Sequence, residues 1–276
     1  MASRTFDLAG GRWLSIYFWI YVAFLYVPLV VLAVFSFHDS PVLALPWRGF
    51  SFRWYGVMLQ TPGLLNSLRI SLIVATLSGA CAAILGSLTA VAVVRFRFPG
   101  SNVLAAVALV PLVIPALGLA IALLLTFVAL GLQPALPTLI VGHAIIGIPS
   151  VLLLVATRVV GIDPALEEAA MDLGARWRRV LIRVYLPLLR PALIAGFIAA
   201  FVVSFNDFYL ADFLAGPDTT LPLYFFSGFR SPDLMPPTLA LMSTVTVAMI
   251  FVLLFAQVGI PRIARVMRFK RSSRPS

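Results

Sequence analysis

Six long apolar segments constrain this chain more than any other feature of its sequence. Each is long enough to cross about 30 Å of hydrocarbon as a helix that rises about 1.5 Å per residue. Hydrophobic residues make up 62% of the 276-residue chain and charged residues only 11%, which is typical of membrane proteins. The sequence therefore predicts an all-α, polytopic membrane protein with six transmembrane helices in one domain, 1–276. The predicted spans are roughly 13–36, 67–94, 103–130, 138–160, 191–212 and 238–260.

Basic residues are concentrated at one set of span ends. They precede the first span, follow the second, flank the polar stretch after the fourth and fill the C-terminal tail. Because Lys and Arg near span ends stay on the cytoplasmic side, this asymmetry predicts that both termini are cytoplasmic. The net charge of +10 is dispersed over these membrane-flanking sites, which favours contact with anionic lipid and argues against nucleic acid. The exceptions are Arg48, Arg53, Arg69 and Arg230.

The polar stretch 163–190 lies between the fourth and fifth spans and begins with a helix signal. Asp163 can cap free backbone donors, and Pro164 loses nothing at the first helical position. Gly174 is expected to end this short helix in a left-handed turn. One face of the helix is acidic, at Glu168 and Asp172, and another is apolar. The apolar stripe comprises Leu166, Ala169, Ala170 and Leu173.

A second, basic helix is predicted after Gly174. Three arginines at helical spacing indicate a polar face, and four apolar residues indicate the opposite face. Such an amphipathic helix is expected to lie along the membrane surface until Pro187 interrupts it. The arginines are Arg176, Arg179 and Arg183, and the apolar residues are Trp177, Val180, Leu181 and Val184.

The same stretch carries a gapped motif. Glu168-Ala169-Ala170, then Gly174, then Val184-Tyr185-Leu186-Pro187 resembles the EAA loop of the permeases of bacterial ABC importers. Val184, where isoleucine is usual, is the one departure. The resemblance implies that the loop is the coupling helix on a cytoplasmic ATPase. The alternative is a cytoplasmic loop that packs on its own bundle. The coupling candidates are Glu168, Ala169, Ala170, Gly174, Leu186 and Pro187.

The resemblance extends to the whole architecture and its partners. It implies a type I ABC importer permease core in the bacterial inner (plasma) membrane, working by alternating access. The implied partners are a second, homologous but different permease chain, two cytoplasmic ATPase subunits and a periplasmic or secreted solute-binding protein. The chain itself is not expected to be an enzyme, because its only lysine, Lys270, lies in an arginine-rich tail rather than after a glycine-rich loop. No catalytic residue, metal ligand set or cofactor is predicted.

The fifth span is chemically unusual because it contains Ser204, Asn206 and Asp207. A carboxylate is costly within a bilayer, so Asp207 is expected four to five turns into the span, facing the bundle interior, a water-filled cavity or a partner subunit. Two roles remain possible for Asp207. It could contact a cationic substrate, or it could form a structural hydrogen bond or gate near the outer rim. These three residues are the candidates for the substrate path. His143, in the fourth span, is expected to be a hydrogen-bonded core residue.

The region around Asp207 also resembles the spermidine/putrescine branch of these permeases. The branch usually has two consecutive acidic residues where this chain has Asn206-Asp207, and an Asn-Ala pair where it has Pro236-Pro237. The resemblance implies a polyamine substrate. The alternatives are another organic cation, an amino-acid derivative, iron or a phosphonate, and, in a different class, an ion-coupled secondary transporter. The matching segments are 204–208, Gly216-Pro217, Thr220-Leu221-Pro222-Leu223, Ser227 and Arg230.

Three further expectations concern local structure. Pro111 and Pro115 are expected to break the third span, and Pro149 the fourth, with ordinary kinks as the alternative. The aromatic-rich external loop 37–60 suits a membrane interface. His38, in this loop, is open to two interpretations, a solvated loop residue or a functional one.

Overall fold

The computed structural model describes residues 8–41, 45–96, 98–228 and 234–248. Within these ranges the chain is helical, and the only strand-like feature is an isolated bridge between His38 and Phe50. The all-α prediction is confirmed. Contacts divide the chain into two compact units, residues 63–226 and residues 1–62 with 227–276. The assignment of the whole chain to a single domain stays a prediction.

The helices follow one another with short connections. The long helices are apolar. Among the described residues, four helices are long and apolar enough to span a membrane, or five if one bent pair of helices is counted as a single span. The helices are α1 (Leu8–Phe35), α2 (Arg53–Leu59), α3 (Pro62–Arg95), α4 (Ser101–Leu109), α5 (Ala116–Ala129), α6 (Leu136–Val160), α7 (Pro164–Asp172), α8 (Trp177–Val180), α9 (Leu186–Asn206), α10 (Tyr209–Leu214), α11 (Leu221–Gly228) and α12 (Met235–Ala248). The predicted sixth span, 238–260, lies outside the described residues beyond Ala248.

The prolines of the third and fourth spans behave differently. The third span is bent by 112° between Ser101–Leu112 and Ala116–Ala129, as predicted from Pro111 and Pro115. The predicted break at Pro149 is wrong, because α6 runs through this buried proline. A single proline removes one backbone donor, and neighbouring helices can hold the helix on its course. Two prolines four residues apart remove two donors from consecutive turns, and there the helix gives way.

Small residues let α3, α6 and α9 approach closely. A Cβ added to Gly147 would lie 2.9 Å from the Ala82 Cβ and 3.0 Å from the Ala200 Cβ. A Cβ added to Gly86 would lie 2.8 Å from the Val151 Cβ. Small residues at helix contacts are characteristic of membrane bundles, where packing replaces the hydrophobic effect. These three helices therefore form the frame that positions both sites described below.

The fifth span differs from its predicted limits at both ends. Helical structure begins at Trp177, passes through a π turn at Leu181–Tyr185 and continues to Asn206. The prediction that Pro187 interrupts the helix is therefore wrong. The basic segment is not a separate surface helix, because it continues into the fifth span. Pro187 is the second residue after the π turn, close to the point where the hydrogen-bond register changes, so its missing N–H costs the helix little. The predicted end at 212 is also wrong, because α9 ends at Asn206.

The loop after α1 folds around His38. This side chain is only 1% exposed, its ring lies 4.6 Å from the ring of Trp47, and its carbonyl oxygen accepts a hydrogen bond from Trp54 Nε1 at 2.9 Å. Of the two interpretations, the solvated one is wrong, because the aromatic side chains of the loop close over His38.

Candidate functional site

Helix α7, which carries the EAA signature, is defined by caps at both ends. The Asp163 carboxylate accepts a hydrogen bond from the backbone N–H two residues later, at 3.0 Å. At the other end, Gly174 has φ +77° and donates to the Met171 carbonyl at 2.8 Å, while Ala175 donates to the Ala170 carbonyl at 3.0 Å. This is the Schellman pattern, which needs a residue in the left-handed region. Both predicted helix signals are confirmed.

Most side chains of α7 are exposed. Glu168, Ala169 and Gly174 of the signature are exposed, whereas Ala170 packs against the buried cluster between α3, α6 and α9. Large apolar side chains on and beside the helix are exposed as well: Leu166 is 49% exposed, Met171 42% and Leu173 89%. The predicted apolar stripe therefore divides, with Ala170 facing the protein and both leucines facing outward.

The basic segment after Gly174 has the two faces that its sequence predicts. The arginines of one face are exposed, and Val180 of the other is fully buried. Trp177, Leu181 and Val184 pack against the same buried cluster as Ala170. The last two signature residues, Leu186 and Pro187, are exposed at the start of α9.

Arg95, Glu167 and Tyr185 form an ionic cluster behind α7. Arg95 Nε lies 3.4 Å from Glu167 Oε2, the Tyr185 hydroxyl donates to the same oxygen at 2.8 Å, and Arg95 Nε also contacts the Tyr185 hydroxyl. Arg95 donates to the Ile162 carbonyl at 3.3 Å, and its guanidinium lies 5.6 Å from the centre of the Tyr185 ring. The cluster ties α7 to the end of α3 and to the π turn.

Sequence reasoning missed this cluster. Its members are 72 and 90 residues from Arg95 along the chain, at positions 167 and 185, and their side chains meet only because α3, α7 and the π turn converge. A partial signal existed, because Arg95 ends the second span and Tyr185 lies inside the gapped motif. Glu167 directly precedes the motif's first residue, Glu168.

A second polar cluster lies between α3, α6 and α9. The Ser78 hydroxyl donates to Ser204 Oγ at 3.0 Å, and Ser204 Oγ lies 2.7 Å from His143 Nδ1. His143 Nε2 lies 3.5 Å from Asp207 Oδ1. Ser78, Ser204 and His143 are buried, whereas the Asp207 side chain is 11% exposed. His143 is thus a hydrogen-bonded core residue, as predicted, and its partners were not predicted.

Asp207 lies at a helix break. It follows the last residue of α9, has extended backbone angles (φ −74°, ψ 129°), and its Oδ1 accepts the Leu210 N–H at 2.7 Å. The prediction that it lies within a continuous span is wrong. The Asp207 carboxylate thus takes up a free N–H of the first turn of α10, as helix-capping aspartates do, although Phe208 lies between it and the first residue of the helix.

Asn206 is separated from this cluster. Its side chain is exposed, and Nδ2 donates to the Val202 carbonyl one turn back, at 2.9 Å. Of the three substrate-path candidates, Ser204 and Asp207 are therefore brought together around His143, and Asn206 is not. Among the described residues no group of three or more His, Cys, Asp and Glu side chains is placed to hold a metal ion.

The fold is that of an all-α, multi-pass membrane protein, and comparison with known sequences defines its class. The chain belongs to the family of binding-protein-dependent transport system inner membrane components, whose profile matches residues 82–265. It is thus an inner-membrane permease subunit of an ABC importer. Members of this family are the permease subunits of such importers and not their ATPase subunits.

Relatives with known roles match most of the chain. The putrescine transport system permease protein PotI of Escherichia coli K12 is 39% identical over 215 residues, which cover 75% of this chain and 76% of PotI. The spermidine/putrescine transport system permease protein PotC of the same strain is 36% identical over 221 residues, which cover 80% of this chain and 81% of PotC.

Solved structures show the same fold. A chain of a bacterial ABC transporter involved in the import of the acidic polysaccharide alginate matches with a TM-score of 0.69 at 21% identity, covering 92% of this chain and 98% of that one. A chain of the MetNI methionine ABC transporter in an inward-facing conformation matches with a TM-score of 0.56 at 18% identity, covering 78% of this chain and 99% of that one.

Proposed function

We propose that this permease subunit translocates a polyamine such as putrescine or spermidine. The observation that carries the proposal is the Asp207 carboxylate, held at a helix break and still partly exposed, in a chain similar to putrescine and spermidine/putrescine permeases. An ammonium group that enters the bundle loses water, and a carboxylate there can replace part of that hydration.

The two oxygens of Asp207 suit two tasks. Oδ1 caps the Leu210 N–H and lies near His143. Within the described part of the chain, Oδ2 makes no hydrogen bond, so it is the atom proposed to contact a passing ammonium group. The structural hydrogen bond and the cation contact, which the sequence presents as alternatives, are therefore compatible in one side chain.

The same proposal assigns α7 to energy coupling. The exposed Leu166, Met171 and Leu173 offer an apolar surface that the described part of the chain leaves uncovered, and a cytoplasmic ATPase is the partner proposed to cover it. Glu168, Ala169, Ala170, Gly174, Leu186 and Pro187 are the proposed coupling residues. The complex would comprise a second, homologous permease, two ATPase subunits that hydrolyse ATP, and a solute-binding protein outside. Both termini are proposed to be cytoplasmic.

Uptake by the reconstituted complex tests the proposal. The permease is purified with its co-expressed partner subunits, placed in proteoliposomes, and supplied with ATP, binding protein and radiolabelled putrescine or spermidine. ATP-dependent uptake is expected, and Asp207→Asn is expected to depress its maximal rate while the complex stays intact. Uptake of neither polyamine would reject the substrate class. Full uptake by Asp207→Asn would reject the cation contact at this residue.

A further inference from the structure

The imidazole of His143 is held in one orientation by two other helices. Ser78 of α3 donates its hydroxyl hydrogen to Ser204 of α9, so the hydrogen of Ser204 is free to reach His143 Nδ1 at 2.7 Å. A neutral imidazole has one donor and one acceptor nitrogen. With Nδ1 as acceptor, its hydrogen lies on Nε2. The hydroxyl pair therefore holds the ring in position and favours the tautomer that has its hydrogen on Nε2.

In this tautomer the Nε2 hydrogen lies on the side of the ring that faces Asp207. His143 Nε2 is buried, lies 3.5 Å from Asp207 Oδ1, and has no hydrogen-bond partner among the described residues. An ordinary N–H···O hydrogen bond joins atoms about 2.7–3.2 Å apart. The imidazole is thus close enough to attract the carboxylate electrostatically, but too far away to form a full hydrogen bond with it.

We propose that His143 is a positioning residue for cation passage, which rests on the proposed role of Asp207. His143 Nε2–H and Leu210 N–H both face Oδ1, and together they set the rotation of the carboxylate. With Oδ1 held by the protein, Oδ2 is the oxygen left for a cation. Ser78 and Ser204 act indirectly, because they hold the imidazole that faces Asp207. The site is therefore one carboxylate with a fixed orientation, matched to one ammonium group at a time.

Two amide substitutions of His143 separate its two nitrogens. A glutamine amide reaches about as far as Nε2 and can donate to Asp207, whereas an asparagine amide reaches only as far as Nδ1. His143→Asn is expected to lower the maximal rate of putrescine uptake several-fold, because the asparagine amide cannot place a donor near Asp207 Oδ1. His143→Gln is expected to recover most of that rate. The KM is expected to stay nearly constant if the binding protein sets it, so the change falls on the maximal rate.

A double-mutant cycle with Asp207→Asn shows whether His143 acts through Asp207. In the Asp207→Asn background, His143→Asn is expected to cause no further loss of uptake. Independent, multiplicative losses would overturn the proposal, as would equal losses in His143→Asn and His143→Gln, because both results indicate a packing role. Thr157→Ala, which alters an exposed residue of the same helix outside the cluster, is the matched control.

The outcomes distinguish this inference from the proposed function. Full uptake by His143→Asn with impaired uptake by Asp207→Asn overturns the positioning role alone, whereas full uptake by Asp207→Asn removes its premise. If His143→Asn is not recovered in the membrane, Ser204→Ala decides, because it removes only the hydroxyl that fixes Nδ1. A reduced maximal rate in Ser204→Ala supports the inference, and an unchanged rate rejects it.

Discussion

The Tyr185 hydroxyl donates to Glu167 Oε2 at 2.8 Å, and this contact links the helix of the EAA loop to the π turn that opens the fifth span. Tyr185 is 1% exposed, so its hydroxyl cannot exchange Glu167 for water. Arg95 completes the contact from the end of α3. A displacement of α7 by a bound partner would therefore reach two long helices through one partly buried cluster.

Tyr185→Phe should weaken this link while keeping the ring. A hydrogen bond to a charged group contributes about 1.5–3 kcal/mol, so we expect a thermal midpoint of the purified complex that is several degrees lower. We also expect reduced uptake with retained ATPase activity, because the helices would follow α7 less closely. Asp172→Asn, an exposed acid on the same helix, is the control. Equal effects of the two substitutions would contradict the role of the cluster.

Gly174 should be sensitive to backbone conformation rather than to side-chain size. Its φ is +77°, yet nothing lies within 4 Å of an added Cβ. A left-handed conformation costs a non-glycine residue about 1–2 kcal/mol, and asparagine tolerates it best. We therefore expect uptake to fall in the order Gly174, Gly174→Asn, Gly174→Ala, Gly174→Val, at equal expression. If valine supports as much uptake as asparagine, the left-handed turn is not what coupling requires.

Gly86 should be sensitive to size. An added Cβ would lie 2.8 Å from the Val151 Cβ and 3.0 Å from the Ile148 carbonyl oxygen, which belongs to the backbone of α6 and cannot move alone. Overpacking of this kind costs about 1–3 kcal/mol, so Gly86→Ala should lower the thermal midpoint of the complex. Gly118→Ala, on α5 with no neighbour within 4 Å, is the matched control. It should be neutral or stabilising, and the same loss at both positions would contradict the close packing of α3 on α6.

Features that depend on neighbours along the chain could be predicted from the sequence. The cap at Asp163, the left-handed turn at Gly174 and the bend between Pro111 and Pro115 each follow from local backbone chemistry. The buried contacts could not be predicted, because His143 and Ser204 are 61 residues apart and are brought together by the packing of whole helices. Asp207 is an intermediate case: an aspartate is itself a helix-start signal, but the apolar residues on both sides favoured one continuous span.

Accessibility of introduced cysteines should test the orientation of the chain. In a Cys81→Ala background, Thr219→Cys and Asn102→Cys replace exposed residues that the basic-residue pattern places on opposite sides of the membrane. An impermeant maleimide should label the Thr219 variant in spheroplasts and the Asn102 variant only in inside-out vesicles. The reverse labelling would place the termini outside.

Two substitutions of Asp207 should distinguish its contribution to helix stability from the contribution of its charge to uptake. Its Oδ1 caps the Leu210 N–H at 2.7 Å, and asparagine caps a helix about as well as aspartate, whereas loss of a cap to alanine costs about 0.5–2 kcal/mol. We therefore expect Asp207→Asn to keep the wild-type thermal midpoint and Asp207→Ala to lower it. Polyamine uptake should fall in both variants, because both lack the carboxylate. If Asp207→Asn keeps full uptake and only Asp207→Ala loses it, the residue serves α10 and not the passing cation. If Asp207→Asn also loses thermal stability, its charge contributes to folding through His143, and uptake must then be compared at matched amounts of assembled complex.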